Sequence, residues 1–219
     1  MLLAEQVLLL ARDMHGQLLN SMLSKKDIER WLAVALLVEL AAMGRLRFSE
    51  ARISATDHMP TQYSLLTDAL AIVYRKQPLS VTDAISSVLA ESGRMQQEIL
   101  ESMVRRGILM KQKQLRFGFF PVSQYPVQST RSHGEAVDQL RAAVAQADHN
   151  DLRALGLYLI CDGMGLIQAL LGADSASDGA QLVVQLESQL AGNRAATDPT
   201  LSRARLIMML TNPFADMVP

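Results

Sequence analysis

Between Leu32 and Met43 the sequence carries a single polar residue, Glu39, in an otherwise unbroken apolar run. A helix built from such a stretch has almost no polar face, so other elements must surround it and it cannot lie at a surface. The stretch Trp31 to Phe48 therefore predicts a buried central helix. Gly44 follows, the residue that best tolerates the left-handed conformation of a helix C-terminal cap, and Arg45-Leu46-Arg47-Phe48 then alternates with period two, like an edge strand. The same grammar returns at Leu100 to Leu109, where a helical pattern runs into Gly107 and is followed by a basic segment and the apolar run Phe117-Gly118-Phe119-Phe120-Pro121. Two helix-glycine-strand joints thus organise the chain.

Leu, Ala, Met and Val dominate the apolar residues while aromatics make up only 5%, which favours helices packed on helices over a sandwich or barrel. The expected fold is mainly α: one globular domain over 1–219, with packed helices around the buried central helix. Short β-hairpins join it, one of them protruding, basic and aromatic. A net charge of −1 argues against a protein that binds nucleic acid with its whole surface, so any anion affinity must be local. The lone Cys161 cannot form an internal disulfide, and the apolar opening MLLAEQVLLLARD carries Glu5 where a leader would be basic, so cytoplasmic residence is expected. No apolar run reaches the ~20 residues of a bilayer span, so a membrane would be met from one side, peripherally.

Along the chain, Leu2 to Arg12 reads as a helix closed by Met14-His15-Gly16, and Ser24 with Asp27 as a near capping box that launches the central helix. Ala51-Arg52-Ile53-Ser54 returns beside Arg45–Phe48 as a small hairpin. Helices are expected from Leu65 to Pro78, from Ser80 to Ser92-Gly93, and from Met95 to Arg106. Gln124 to Gly134 reads as a loop, Glu135 to Ala147 as a helix, and Leu152 to Leu171 as one strongly apolar helix whose Gly156, Gly163 and Gly165 allow close approach. A turn region near 172–179 precedes a helix at 180–191, a linker through Pro199, and a last helix ended by Asn212-Pro213.

Catalytic chemistry has no candidate constellation. His15, His58, His133 and His149 fall in separate loops without metal-ligand spacing, and no phosphate-binding or nucleophile-elbow motif is present, so neither metal nor cofactor is expected. Cys161 on an apolar helix reads as a small core residue. What stands out is that no Asp or Glu occurs from Ser102 to Gly134, while Arg105, Arg106, Lys111, Lys113, Arg116 and Arg131 do. Leu115, Phe117 and Phe119 share one face of an extended segment, a pattern that a hairpin packed on the core also shows. The functional reading takes Phe119-Phe120-Pro121 as a hydrophobic loop tip ringed by Lys111, Lys113 and Arg116, with Phe117 also on the membrane-contact hairpin. Such a tip enters the interfacial zone of a bilayer while the cations meet anionic phospholipid head groups. Arg105 and Arg106 also complement the dipole at a helix C-terminus, which accounts for them without any ligand.

At these same residues the chain resembles the Golgi phosphoprotein 3 family, peripheral membrane proteins that read phosphatidylinositol 4-phosphate, and in particular its bacterial relatives. The matching stretches are EQVLLLARD at 5–13, LLVELAAMGRLRF at 36–48, SLLTDAL at 64–70, ESMVRRGILMKQKQLRFGFFPVSQYP at 101–126 and, more loosely, LRALGLYLICDGMGLIQALL at 152–171. The resemblance implies a helical domain with a protruding β-hairpin and, in eukaryotic members, a lipid-binding adaptor that retains Golgi enzymes by their cytoplasmic tails. The tryptophan and three arginines that surround the lipid phosphate in those members align with Ser24, Ala33, Gly93 and Gln96, so none of the four side chains is retained. Arg30, Trp31 and Arg94 lie nearby in sequence and join Arg105 and Arg106 as anion-binding candidates.

Two functions follow as expectations: a non-enzymatic protein that binds a membrane surface or a protein partner through the basic, aromatic hairpin, or a winged-helix nucleic-acid binder over residues 80–121. The second has the layout of helix, turn, helix and basic hairpin, but its presumed recognition helix offers Gln96, Gln97, Glu98 and Glu101 and no cation before Arg105, a poor face for phosphates. Self-association is left open by the sequence.

Overall fold

The computed structural model describes residues 1–116, 120–146, 151–190 and 198–212. Its elements in chain order are α1 (Leu3–Leu10), α2 (Lys25–Ala42), β1 (Leu46–Ser49), β2 (Arg52–Ala55), α3 (Ser64–Lys76), α4 (Val81–Glu91), α5 (Met95–Arg105), β3 (Gln112–Arg116), β4 (Phe120–Gln124), α6 (Thr130–Gln146), α7 (Leu152–Gly163), α8 (Ile167–Leu171), α9 (Ala173–Leu190) and α10 (Pro199–Thr211). The mainly α class expected from composition is what the chain adopts, with two antiparallel strand pairs as its β content among the described residues.

Helix α2 is the organising element. Every residue from Trp31 to Ala41 is buried, and α1, α7, α10, α3, α4 and α5 all pack against it. Its start is set by a reciprocal capping box: Asp27 N donates to Ser24 Oγ at 3.2 Å and Ser24 N donates to Asp27 Oδ2 at 2.8 Å. Its end is set by Gly44 at φ +74°. Helix α7 lies against α2 because two glycines remove the side chains that would hold it off. A Cβ at Gly156 would come 2.3 Å from Val38 Cγ1, and one at Gly163 would come 2.4 Å from Trp31 Cη2.

The polar interior is concentrated at the start of α1. Leu3 N donates to Glu39 Oε2 at 2.6 Å, and Arg153 of α7 donates through Nε to Glu39 Oε1 at 3.1 Å and through Nη2 to Met1 O at 2.7 Å. Leu2 N donates to Glu5 Oε2 at 2.9 Å, and the other oxygen of Glu5 receives Arg106 Nη2 at 2.5 Å. Two buried carboxylates thus accept from the N–H groups that open α1, where a helix dipole favours negative charge, and each is neutralised by an arginine from a distant helix. One node joins α1 to α2, α7 and the end of α5.

Three segments differ from the sequence expectation. Helix α6 begins at Thr130, five residues before the expected start at Glu135, because Ser129 acts as its cap, its Oγ accepting from Ser132 N at 3.1 Å. Residues 173–179, expected as a turn, open α9. The stretch 152–171 is broken into α7 and α8 at Gly165, φ +68°, which ends a helix where it was expected to pack inside one.

Hairpin β1–β2 pairs Leu46 with Ala55 through Ser49 with Arg52. Its two-residue turn places Glu50 at φ 50° and Ala51 at φ 57°, so two residues with a Cβ occupy the left-handed region that such turns normally give to Asn-Gly. A left-handed residue costs about 1–2 kcal/mol outside glycine, partly offset by the entropy a new glycine loses on folding. The double substitution E50N/A51G is therefore expected to stabilise the protein by about 1 kcal/mol, read as a rise of roughly 3 °C in thermal midpoint. A lower midpoint would show the turn to be held by other contacts.

Candidate functional site

The second hairpin is positioned by the end of α5. Arg105 closes the helix, Gly107 at φ +69° turns the chain, and Ile108 and Leu109 are buried, anchoring the strands to the body. Leu109 bridges Val127, Met110 N donates to Pro126 O at 3.0 Å, and Ile108 O accepts from Gln128 N at 2.9 Å. Beyond this base, β3 and β4 pair from Gln112 with Gln124 to Arg116 with Phe120. The two hairpins differ in their surroundings. Hairpin β1–β2 is packed by α2, α3, α4 and α10, whereas among the described residues no helix makes a substantial contact with β3 or β4. A two-stranded ribbon alone is marginal in water, so the buried base carries this one.

Lys111 and Lys113 are exposed along this hairpin. The described part of Arg116 and Phe120 is their paired backbone, and Phe117 and Phe119 lie outside the described residues. Arg105 is exposed and, like Lys111 and Lys113, has no ion-pair partner among the described residues, whereas Arg131 is held by Glu135 at 2.8 Å. Arg106 meets its anion inside the protein, at Glu5.

The remaining anion candidates are not gathered into one place. Trp31 is buried, its ring seated on Gly163, and Arg30 beside it is half-buried on the α2 turn that also carries Asp27. Arg94 is the exposed N-cap of α5 and lines a cleft of about 440 Å³ with Asp68, Arg75, Glu91 and Glu98. Arg105 and Arg106 line another, of about 300 Å³, with Tyr63, Ser64, Glu98 and Glu101. Arg94 and Arg105 are separated by the length of α5, 11 residues or about 16 Å. Both clefts mix arginines with carboxylates, so neither presents a uniformly positive wall. Of the positions aligned with the lipid-phosphate residues, Ser24 caps α2, Ala33 is fully buried, and Gly93 and Gln96 lie at the start of α5.

The one cysteine of the chain is not poised as a nucleophile. Cys161 is fully buried, and that burial pushes its thiol up to about 12, far from the range of a reactive thiolate. His15 and His58 lie in separate loops, with His58 against the Tyr74 ring at 5.1 Å, whereas His133, expected in a loop, sits in the first turns of α6 because that helix starts early, and His149 lies outside the described residues. Among the described residues no cluster of His, Cys, Asp or Glu has the make-up of a metal site, and no helix is long and apolar enough to cross a membrane.

Sequence reasoning missed the buried node. Its signal was a lone carboxylate in each of two apolar runs, Glu5 within Leu2 to Ala11 and Glu39 within Leu32 to Met43, since a charge is kept in a core only with partners.

None of the curated proteins compared with the chain matches it. The family model for Golgi phosphoprotein 3 (GPP34) matches residues 3–202, from the first residue of α1 into α10. With nearly the whole chain inside that match, and with the two helix-glycine-strand joints in place, the chain belongs to the Golgi phosphoprotein 3 (GPP34) family.

Proposed function

We propose that this protein is a non-enzymatic peripheral membrane protein that docks on an anionic phospholipid surface through the β3–β4 hairpin. The observation that supports this most is a ribbon carrying Lys111, Lys113 and Arg116 that no helix of the body covers among the described residues. Near an anionic bilayer each cation contributes about 1 kcal/mol, and each phenylalanine withdrawn from water among Phe117, Phe119 and Phe120 about 1.5–3 kcal/mol. Neither contribution alone holds a protein on a membrane. Together they give reversible, salt-sensitive binding, with Arg105 beside the hairpin base adding to the positive field.

Phosphatidylinositol 4-phosphate is not singled out in this reading, because Ser24, Ala33, Gly93 and Gln96 offer no cation to its phosphate. Flotation with phosphatidylglycerol vesicles tests the proposal. The wild type is expected to float, to be released as salt shortens the screening length from ~10 Å at 0.1 M to ~3 Å at 1 M, and to lose at least tenfold in bound fraction on F119D/F120D. Vesicles of matched charge containing phosphatidylinositol 4-phosphate are expected to bind no more tightly. Equal flotation of wild type and double variant would remove the hairpin from the mechanism.

The order α3, bridge strand at Leu79, α4, α5 and hairpin is also that of a winged helix. On α5, however, Gln97 Nε2 donates to Glu101 Oε1 at 2.9 Å and Glu98 is exposed, so the face that would enter a groove repels phosphate. Retardation of random duplex DNA at low salt, without flotation, would reverse that preference.

A further inference from the structure

The segment between α1 and α2 turns back on itself and presses on the hairpin base. Arg12 bridges Leu18, Asp13 N donates to Gln17 O at 2.8 Å, and Gly16 N donates to Asp13 O at 3.0 Å. The Asp13 carboxylate is turned into this loop, one oxygen accepting from His15 N at 2.9 Å and Gln17 N at 2.8 Å. Gly16, at φ +82°, lies so close to the hairpin's return strand that a Cβ there would meet the Tyr125 carbonyl carbon at 2.7 Å. Val127 N donates to Met14 O at 3.2 Å, one residue from where Met110 N donates to Pro126 O at 3.0 Å. Met14 and Met110 therefore flank the same extended segment, and both are exposed, 41% and 43%. Lys111 is exposed next to Met110, while the Arg12 guanidinium is buried beneath the turn and donates to Leu8 O at 2.8 Å.

An exposed methionine alone means little. Two of them fastened by backbone bonds to neighbouring residues of one segment, beside a cation and with the Asp13 carboxylate engaged by backbone, match what an anionic bilayer interface takes up: flexible apolar side chains with positive charge around them. Strand β3 is five residues, about 16 Å, which exceeds the ~5–10 Å depth to which interfacial segments enter. Tip and base can meet one membrane together only when the ribbon lies along it. Lys111 and Lys113, two residues apart on an extended chain, share a face and distribute charge along that length.

We propose that the turn at 13–17 is a second membrane contact, with Met14 and Met110 seated in the head-group zone of an anionic bilayer and the β3–β4 ribbon lying along its surface. This rests on the membrane-docking reading above and adds the orientation. The test places an environment-sensitive fluorophore on single cysteines, M14C, M110C, F120C and M59C, in a full-length C161A background with phosphatidylglycerol-containing vesicles. Met59 is an exposed methionine in the loop after β2, where its carbonyl accepts from Arg45 at the joint between α2 and β1. Labels at 14, 110 and 120 are expected to brighten about twofold or more, with a blue shift and quenching by lipid-borne nitroxides, and the label at 59 to stay unchanged. A response at 120 without one at 14 and 110 would mean that the ribbon enters end-on, and the second contact would be wrong while docking survived. A response at none of them, with no flotation, would overturn docking itself. Equal responses at 59 and 14 would show adsorption without orientation and would also overturn the proposal.

Discussion

Replacing Arg153 with methionine is expected to destabilise the protein by about 2–3 kcal/mol while leaving its secondary structure intact. The substitution keeps the aliphatic stem and removes the guanidinium that donates to Glu39 Oε1 at 3.1 Å and to Met1 O at 2.7 Å. Glu39 is 7% exposed, in the middle of the buried helix α2, and would keep Leu3 N as its one remaining partner among the described residues. Stranding one member of a fully buried pair costs about 3–5 kcal/mol. The cost is lower here because the Arg153 side chain is 34% exposed, which lets water take up part of the load. Urea unfolding of R153M, E39L and the double variant closes the cycle. E39L alone orphans Leu3 N and leaves Arg153 without its carboxylate; the double variant removes both charges and should lose less than the sum of the singles by at least ~1 kcal/mol. A coupling near zero would show that Glu39 serves only as the cap of α1.

The same node explains which parts of the fold were legible in the sequence. Helix α2 was, because an apolar run closed by Ser24 at one end and Gly44 at the other is a local statement that needs no knowledge of the rest of the chain. The two glycine joints and both hairpins were legible for the same reason, each being set by a positive φ or by period-two alternation. The partners of Glu5 and Glu39 were not: Arg106 is 101 residues from Glu5 and Arg153 is 114 from Glu39. Small residues misled in both directions. Gly134 was expected to close a loop, yet a Cβ there would meet no atom within 4 Å, so α6 simply tolerates it. The run Ala173 to Gly179 looked like a turn, yet it is helical and opens α9, the helix that packs on α8 and α6, and Gly179 is small because the Tyr158 hydroxyl lies where its Cβ would be. At the candidate site, the cations of the hairpin were legible as a stretch without acids. That no helix covers the described ribbon, and that Met14 is fastened to its base, are matters of packing that no local pattern encodes.

A glycine-to-alanine change inside a helix ordinarily stabilises by up to ~1 kcal/mol, so G156A and G163A offer a test of packing in which the sign itself is informative. Both are expected to destabilise. At 156 the added methyl would lie 2.3 Å from Val38 Cγ1, well inside van der Waals contact, and Val38 is fully buried in α2. A β-branched side chain in a helix has one strongly preferred rotamer, so Val38 cannot swing aside, and α7 must move away from α2 instead. Overpacking of this kind costs about 1–3 kcal/mol, and with the propensity gain of ~1 kcal/mol subtracted a net loss of up to about 2 kcal/mol is expected. V38A should suppress it: the G156A/V38A pair refills the space that V38A opens and should recover at least half of the loss seen in G156A. At 163 the obstacle is the ring of Trp31, with Cη2 at 2.4 Å and Cζ2 at 2.8 Å, and Trp31 is the only tryptophan in the chain. G163A should therefore move the native fluorescence maximum to the red as the ring is pushed from its buried seat, in step with a lower urea midpoint. An unchanged spectrum with raised stability would place Trp31 somewhere other than on α7, and would return it to the surface as a residue free to meet a ligand.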